Sequence, residues 1–98
     1  MATIPSVNIG TMIARSPDEF DGRPYITGTG ITVRRIVGWY KLGYEAEGIL
    51  KEIDHLNIAQ VYAALAYYHA NQQSVEADIA EEEAESRRIE AEHLKTTA

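Results

Sequence analysis

The sequence of 98 residues contains no cysteine, three prolines, one tryptophan, one phenylalanine and nine lysines and arginines against fifteen acidic residues. Without cysteine, neither a disulfide framework nor a thiolate metal site can form, and a reducing compartment, the cytoplasm, is expected. No run of about 18 apolar residues occurs, and the segment from Met1 to Met12 lacks a basic start followed by an apolar stretch. Membrane spanning and secretion therefore have no physical signature here. The shortage of cations gives a formal net charge of -6, which speaks against nucleic-acid binding by the chain as a whole.

What is present is unevenly placed. Residues 31–71 carry Arg34, Arg35, Lys41 and Lys51 against Glu45, Glu47, Glu52 and Asp54, with no net charge. Residues 72–98 carry Glu76, Asp78, Glu81, Glu82, Glu83, Glu85, Glu90 and Glu92 against Arg87, Arg88 and Lys95, a net charge of -5. The acidity belongs to the tail. Apolar residues make up 45% of the chain, enough for one small domain and too few for two cores. The expected organisation is a domain over residues 1–71 and an acidic helical tail over 72–98.

Local patterns then assign elements. Residues 2–10 are poor in large apolar side chains and are expected to fray. Thr11 to Arg15 suits a short strand, and Asp21-Gly22 is a favourable turn pair, so Tyr25 to Thr27 should return beside Met12 to Ala14. Thr32 is placed to cap a helix beginning at Val33, its hydroxyl oxygen accepting from a first-turn amide. Val33, Ile36, Val37 and Tyr40, with Trp39 as a further candidate, recur at helical spacing, leaving Arg34, Arg35 and Lys41 off the apolar stripe. Gly43 ends that helix.

A second helix is expected over Ala46 to Ile53, with Ile49, Leu50 and Ile53 inward. Asn57 and Gln60 form a capping-box pattern for a third, whose inner stripe is Val61, Ala64, Leu65 and Tyr68. The segment from Gln72 to Leu94 is rich in Ala and Glu and helix-prone, either continuing the third helix or restarting after Asn71. Its apolar positions are too sparse for a coiled coil, so it is expected to pack on another chain.

The stretch GRPYITGTGITVRRIVGWYKLGYEAEGILKEIDHLNIAQVYAALAYY carries a family resemblance. The order Gly-x-Pro-x-Ile-x-Gly-Thr-x-Ile-x-Val, then a helix, a Gly turn, EAEGILKEIDHL and VYAALAYY resembles the domain of unknown function 433 family, DUF433. The resemblance runs from about Ile13 to Asn71. It implies a mainly α, homeodomain-like three-helix helix-turn-helix unit preceded by a short β-hairpin and followed by a helical extension. It also implies an antitoxin role in a toxin-antitoxin system, beside a PIN-like ribonuclease toxin. Where the family usually has arginine, this chain has Gly30, so one cation before the first helix is missing.

In such a fold the third helix would enter the DNA major groove with its first turn at the bases. Asn57, Gln60 and Tyr62 are then the candidates for base contact, with Gln60 able to read adenine but no Arg or Lys there for guanine; the equal alternative is that Asn57 and Gln60 only cap the helix and Tyr62 is interface or surface. Arg34, Arg35 and Lys41 are the candidates for operator phosphates, against the plainer reading of a solvated face or weak ion pairs. Trp39, Tyr62 and Tyr67 fall off the core stripes and are candidates for a homodimer or higher even-numbered oligomer, unless the hairpin covers them. In the tail, the resemblance implies that Arg87 and Arg88 could enter the carboxylate cluster of the nuclease, anchored by Ile79, Ile89 and Leu94. Pairing of Glu83 with Arg87 along one helix is the simpler alternative.

Catalysis is not expected. His55, His69 and His93 lack metal-ligand spacing, and Glu81 to Glu83 point in different directions on one helix. Gly28-Thr29-Gly30 is too short to cradle phosphates, so no cofactor or metal is expected. The functional expectation is an antitoxin-like protein that neutralises its toxin and autoregulates its operon by DNA binding. The alternative is an oligomerising adaptor of the same fold that does not bind DNA, and a third option is a stand-alone transcription factor.

Overall fold

The computed structural model describes residues 6–97, with side chains as far as Leu94. Two short strands, β1 (Ile13–Ala14) and β2 (Tyr25–Ile26), pair antiparallel, with Ile13 opposite Ile26 and Ala14 opposite Tyr25. Four helices follow: α1 (Val33–Lys41), α2 (Ala46–Glu52), α3 (Ile58–Ala70) and α4 (Gln72–Thr97). The mainly helical fold with a small N-terminal sheet is the one expected. Of the fraying expected over residues 2–10, residues 2–5 lie outside the described residues, while Ile9–Thr11 form one 3-10 turn capped by Asn8.

The hairpin turns later than a two-residue loop would. Phe20, Asp21 and Gly22 take φ values of 52°, 56° and 75°, three left-handed residues in succession. Two overlapping bonds close the turn, Gly22 N–H to Glu19 O at 2.9 Å and Arg23 N–H to Phe20 O at 3.0 Å. The Phe20 ring packs on Tyr25 at 4.9 Å, and Arg15 Nε donates to the Gly22 carbonyl at 2.8 Å. These contacts hold a backbone conformation that only Gly22 adopts without cost.

Thr32 begins α1, but its side chain makes no cap bond. It is instead 6% exposed and forms an isolated β-bridge with Tyr25, while Val33 N–H bonds the Pro24 carbonyl. Extension of the hairpin backbone thus replaces the expected hydroxyl cap. At α3 the capping box is complete: Asn57 accepts from Gln60 N–H, and Gln60 Oε1 accepts from Asn57 N–H.

The core is made of one face from each helix. Val33, Ile36 and Val37 of α1, Ala46 and Ile49 of α2, and Val61, Ala64, Leu65 and Tyr68 of α3 are buried, with Ile26 of β2 and Ile53 beneath them. Gly43, at φ 98°, ends α1 in the left-handed conformation that suits glycine. The turn between α2 and α3 reaches the same region at His55, φ 69°, where a side chain is strained.

Asn71 separates α3 from α4 by a single residue. The first three turns of α4 pack on α1 and α3, burying Val75 to 1% exposure and half-burying Ile79. From Glu83 to Leu94 every side chain is exposed, and α4 carries the molecule to a length of 72 Å. The expected packing of the tail on another chain therefore does not extend to its proximal half. Val75 and Ile79 face the chain's own core, at a spacing that puts them on one side of the helix.

Two stability outcomes follow from these positions. His55→Gly should raise stability by about 0.5–1 kcal/mol, the relief of left-handed strain outweighing the added chain entropy. Urea titration would show this as a higher midpoint at unchanged slope. Val75→Ala should cost about 2 kcal/mol, since the cavity left under α4 adds to the lost burial. A midpoint unchanged by Val75→Ala would mean that α4 is not docked in solution.

Candidate functional site

The sequence candidates divide into three groups according to what surrounds them. The first is the row of cations on α1. Arg34, expected on a solvated face, is half-buried and ion-paired with Glu82 of α4, its side chain 24% exposed. Its Nε is buried and, among the described residues, has no hydrogen-bond partner. Burial, and then the charge of nearby Arg23, push the guanidinium down from its ordinary value, with Asp78 and Asp21 opposing. Arginine stays charged under such shifts. Lys41 Nζ lies 2.6 Å from Glu76. Arg35 is exposed and, among the described residues, makes no ion pair.

Arg23 joins this row although nothing in the sequence pattern singled it out. Its Nε is 3.9 Å from Asp78, and its terminal nitrogen is 3.4 Å from Glu81. Glu76, Asp78, Glu81 and Glu82 all belong to the proximal half of α4, so the acidic tail lies across the cations of the core. The only local sequence signal was a tail segment with four acids and no base. Which core residues it would meet depends on the change of direction at Asn71, which periodicity does not encode.

Glu76 is the most connected member. It accepts from Lys41 at 2.6 Å and from the Tyr68 hydroxyl at 2.7 Å, and Gln72 Nε2 donates to the same hydroxyl at 3.4 Å. The Lys41 bond first, and the Tyr68 bond second, hold the Glu76 carboxyl below its ordinary value of 4.5. The bond to Glu76 is in turn the main reason that Lys41 and Tyr68 are both raised.

The second group surrounds the start of α3. The side chains of Asn57 and Gln60 are engaged in the capping box, so reading a base with either one breaks a cap bond. Tyr62 is 53% exposed, with its hydroxyl 3.5 Å from Glu47. The other two aromatic candidates are better covered than their helical positions suggested. Trp39 and Tyr67 are half-buried against the core, and Trp39 meets Tyr44 edge-on at 5.0 Å. Tyr40, expected in the core, is instead 38% exposed and stacks edge-on against Tyr68 and His69.

The third group is the distal half of α4. Ile89 is 56% and Leu94 68% exposed, and Arg87 and Arg88 are exposed with them. Ile79 does not belong there, because the chain's own core already covers it. At about 100° per residue, Ile89 continues the side of the helix that carries Val75, while Arg87 falls on the opposite side and Arg88 about 100° from Ile89.

The Glu76 hub sets a pH window. A carboxylate with a lowered folded value contributes stability that is present above its ordinary value and is lost as pH falls through the lowered one. Lys41 and Tyr68, both raised, contribute below about pH 10 and lose that contribution as pH rises through their folded values. Docking of α4 should therefore be firmest between about pH 5 and 10. Urea midpoints of the parent chain and Glu76→Gln should differ most within this window and converge as pH falls below it. A constant difference down to strong acid would remove Glu76 from the docking contact.

Three comparisons with known proteins bear on identity. A family model described as "Protein of unknown function (DUF433)" matches residues 13–68. No curated protein matches. Among solved structures, the chain is similar to a DUF433 member protein from Anabaena variabilis, at 26% identity and a TM-score of 0.65, over 71% of this chain and 69% of that one. The matched segment covers both strands, α1, α2 and α3 as far as Tyr68, and stops before α4. With more than half of its residues matched by that family model, this chain belongs to the DUF433 family.

Proposed function

We propose that this chain is an antitoxin-like protein of the cytoplasm, neutralising a PIN-like ribonuclease with the distal half of α4 and contacting operator DNA through its helical core. The observation that carries the reading is the arm itself. Twelve consecutive residues, Glu83 to Leu94, are exposed on a helix that has left the core, with Ile89 and Leu94 uncovered. An isolated helical segment of that length is marginal in water, so a binding partner is the natural source of its order. A nuclease that gathers divalent metal and nucleic acid offers a cation-rich channel, and Glu83, Glu85, Glu90 and Glu92 supply the complementary charge.

A specific observation favours the adaptor reading as a second. Asn57 and Gln60 are engaged in capping, and Arg34 and Lys41 are paired with α4, so four of the six residues assigned to DNA are occupied within the molecule. Arg35 and Tyr62 remain exposed. An even-numbered oligomer would multiply the contacts of Arg35, with Tyr62 as the aromatic member best exposed for self-association.

Deletion of residues 83–98 tests the main reading, because it keeps Val75 and Ile79 in the core. The full chain should co-purify with the product of the neighbouring toxin gene and protect cells from it. The truncated chain should keep its unfolding free energy within about 0.5 kcal/mol, read by urea titration, and lose both properties. Equal protection by the truncated chain would remove the arm from the mechanism. Low-salt binding to the chain's own upstream DNA separates the two readings, since the adaptor binds none under any condition.

A further inference from the structure

Three of the core's cations lie beneath the proximal half of α4, and each meets a carboxylate: Arg23 meets Asp78 and Glu81, Arg34 meets Glu82, and Lys41 meets Glu76. The two rows match in length. Arg34 and Lys41 are seven residues apart on α1, about 10 Å along the axis, and Glu76 and Glu82 are six apart on α4, about 9 Å. Sorting along α4 is sharp in sequence: residues 72–82 hold four acids and no base, whereas the bases Arg87, Arg88 and Lys95 all come later.

Helix docking alone does not require this arrangement. Val75 already seats α4 by apolar burial, and the carboxylates paired in Arg23–Glu81, Arg34–Glu82 and Lys41–Glu76 are partly exposed, which limits what these pairs add to docking. Arg23 is near enough to Arg34 for its charge to disfavour that of Arg34, and carboxylates stand opposite both. The guanidinium of Arg34 is not saturated by its carboxylate, since its Nε is buried and, among the described residues, without a partner. A guanidinium fork of five donors suits a phosphate as well as it suits a carboxylate.

We propose that Arg23, Arg34 and Lys41 form a strip that grips the phosphodiester backbone of nucleic acid, and that the proximal half of α4 is an intramolecular acidic competitor covering it. Asn71 is the pivot. One residue joins α3 to α4, and beyond Tyr67 and Tyr68 its own backbone bonds reach only into the first turn of α4, at Val75. The carboxylates of α4 occupy the positions that phosphates would take, so arm and nucleic acid exclude one another. The inference takes its ligand class from the DNA half of the proposed function and does not depend on the toxin.

The test uses the full chain with Glu76→Gln, Asp78→Asn, Glu81→Gln and Glu82→Gln combined, which keeps Val75 and Ile79 and removes the competing charge. Fluorescence anisotropy with a short labelled DNA duplex at low salt should show binding at least about tenfold tighter than that of the parent chain. For three phosphate contacts, the logarithm of affinity should fall against that of salt with a slope of about -2.7. Adding Arg34→Gln and Lys41→Gln should abolish the gain, while the charge-matched pair Arg35→Gln and Lys51→Gln should leave most of it.

No gain in a variant that retains its helical circular dichroism would overturn the proposal. So would a gain that survives loss of Arg34 and Lys41, because net charge alone would then explain it. Polyglutamate binding as tightly as the duplex would also overturn it, by making the strip a carboxylate site only. A second measurement needs no variant: hydrogen exchange of the parent chain with saturating duplex at low salt should quicken over residues 72–82, the segment displaced from the cations. Unaltered exchange in the arm would mean that it is not displaced. Failure of toxin neutralisation would leave every one of these outcomes readable.

Discussion

Burial of Val75 is the contact on which the arrangement of this molecule depends. Three helices of nine, seven and thirteen residues enclose a small core, and a domain of this size has little stability to spare. Val75 adds a fully buried side chain from a fourth helix, and in doing so fixes the azimuth of α4. With Val75 inward, Glu76 is turned toward Lys41 and Tyr68, while Asp78 and Glu82 are turned toward Arg23 and Arg34. One apolar contact therefore determines which carboxylates face the body and which face solvent.

Much of the fold was legible because it is local. Val33, Ile36 and Val37 announce α1, Gly43 its end, and Asn57 with Gln60 the start of α3; each signal lies within one or two helical turns of what it controls. Thr32 shows where local reasoning fails. A capping threonine and an edge residue of a hairpin look alike in sequence, and pairing with Tyr25 decided between them. The turn at Phe20 to Gly22 was visible as a turn but not as three left-handed residues, because contacts of Arg15 and Tyr25 with it hold that conformation.

The candidate site was less legible, for a definable reason. Helical periodicity separates buried from exposed positions on one element, and by that measure Arg34, Lys41 and Ile79 are all off the core stripe or on a tail. Their surroundings come from the approach of α4, whose direction is set by one residue between two helices. The contacts Lys41–Glu76 and Arg34–Glu82 span 35 and 48 residues in sequence, and no pattern within either helix anticipates them. Trp39 and Tyr67 were placed at a self-interface by the same measure, and the folded chain half-covers both.

The geometry of the distal helix narrows how a partner can use it. Ile89 lies on the side that continues Val75, with Glu83 and Glu90 along one flank and Glu85 and Glu92 along the other, at about 100° per residue. This repeats the pattern of the docked half, in which an apolar position is bordered by carboxylates that meet cations. A second copy of the same side would oppose glutamate to glutamate, so self-association there is disfavoured. A partner surface with an apolar groove rimmed by lysine or arginine is favoured instead. Arg87 lies about 160° from Ile89, so a groove that covers Ile89 leaves it outside, whereas Arg88, about 100° away like Glu90, stands at the groove's rim. Any surface that takes both Ile89 and Arg87 must enclose the helix from two sides, and one that takes only Ile89 meets the glutamates at its rim.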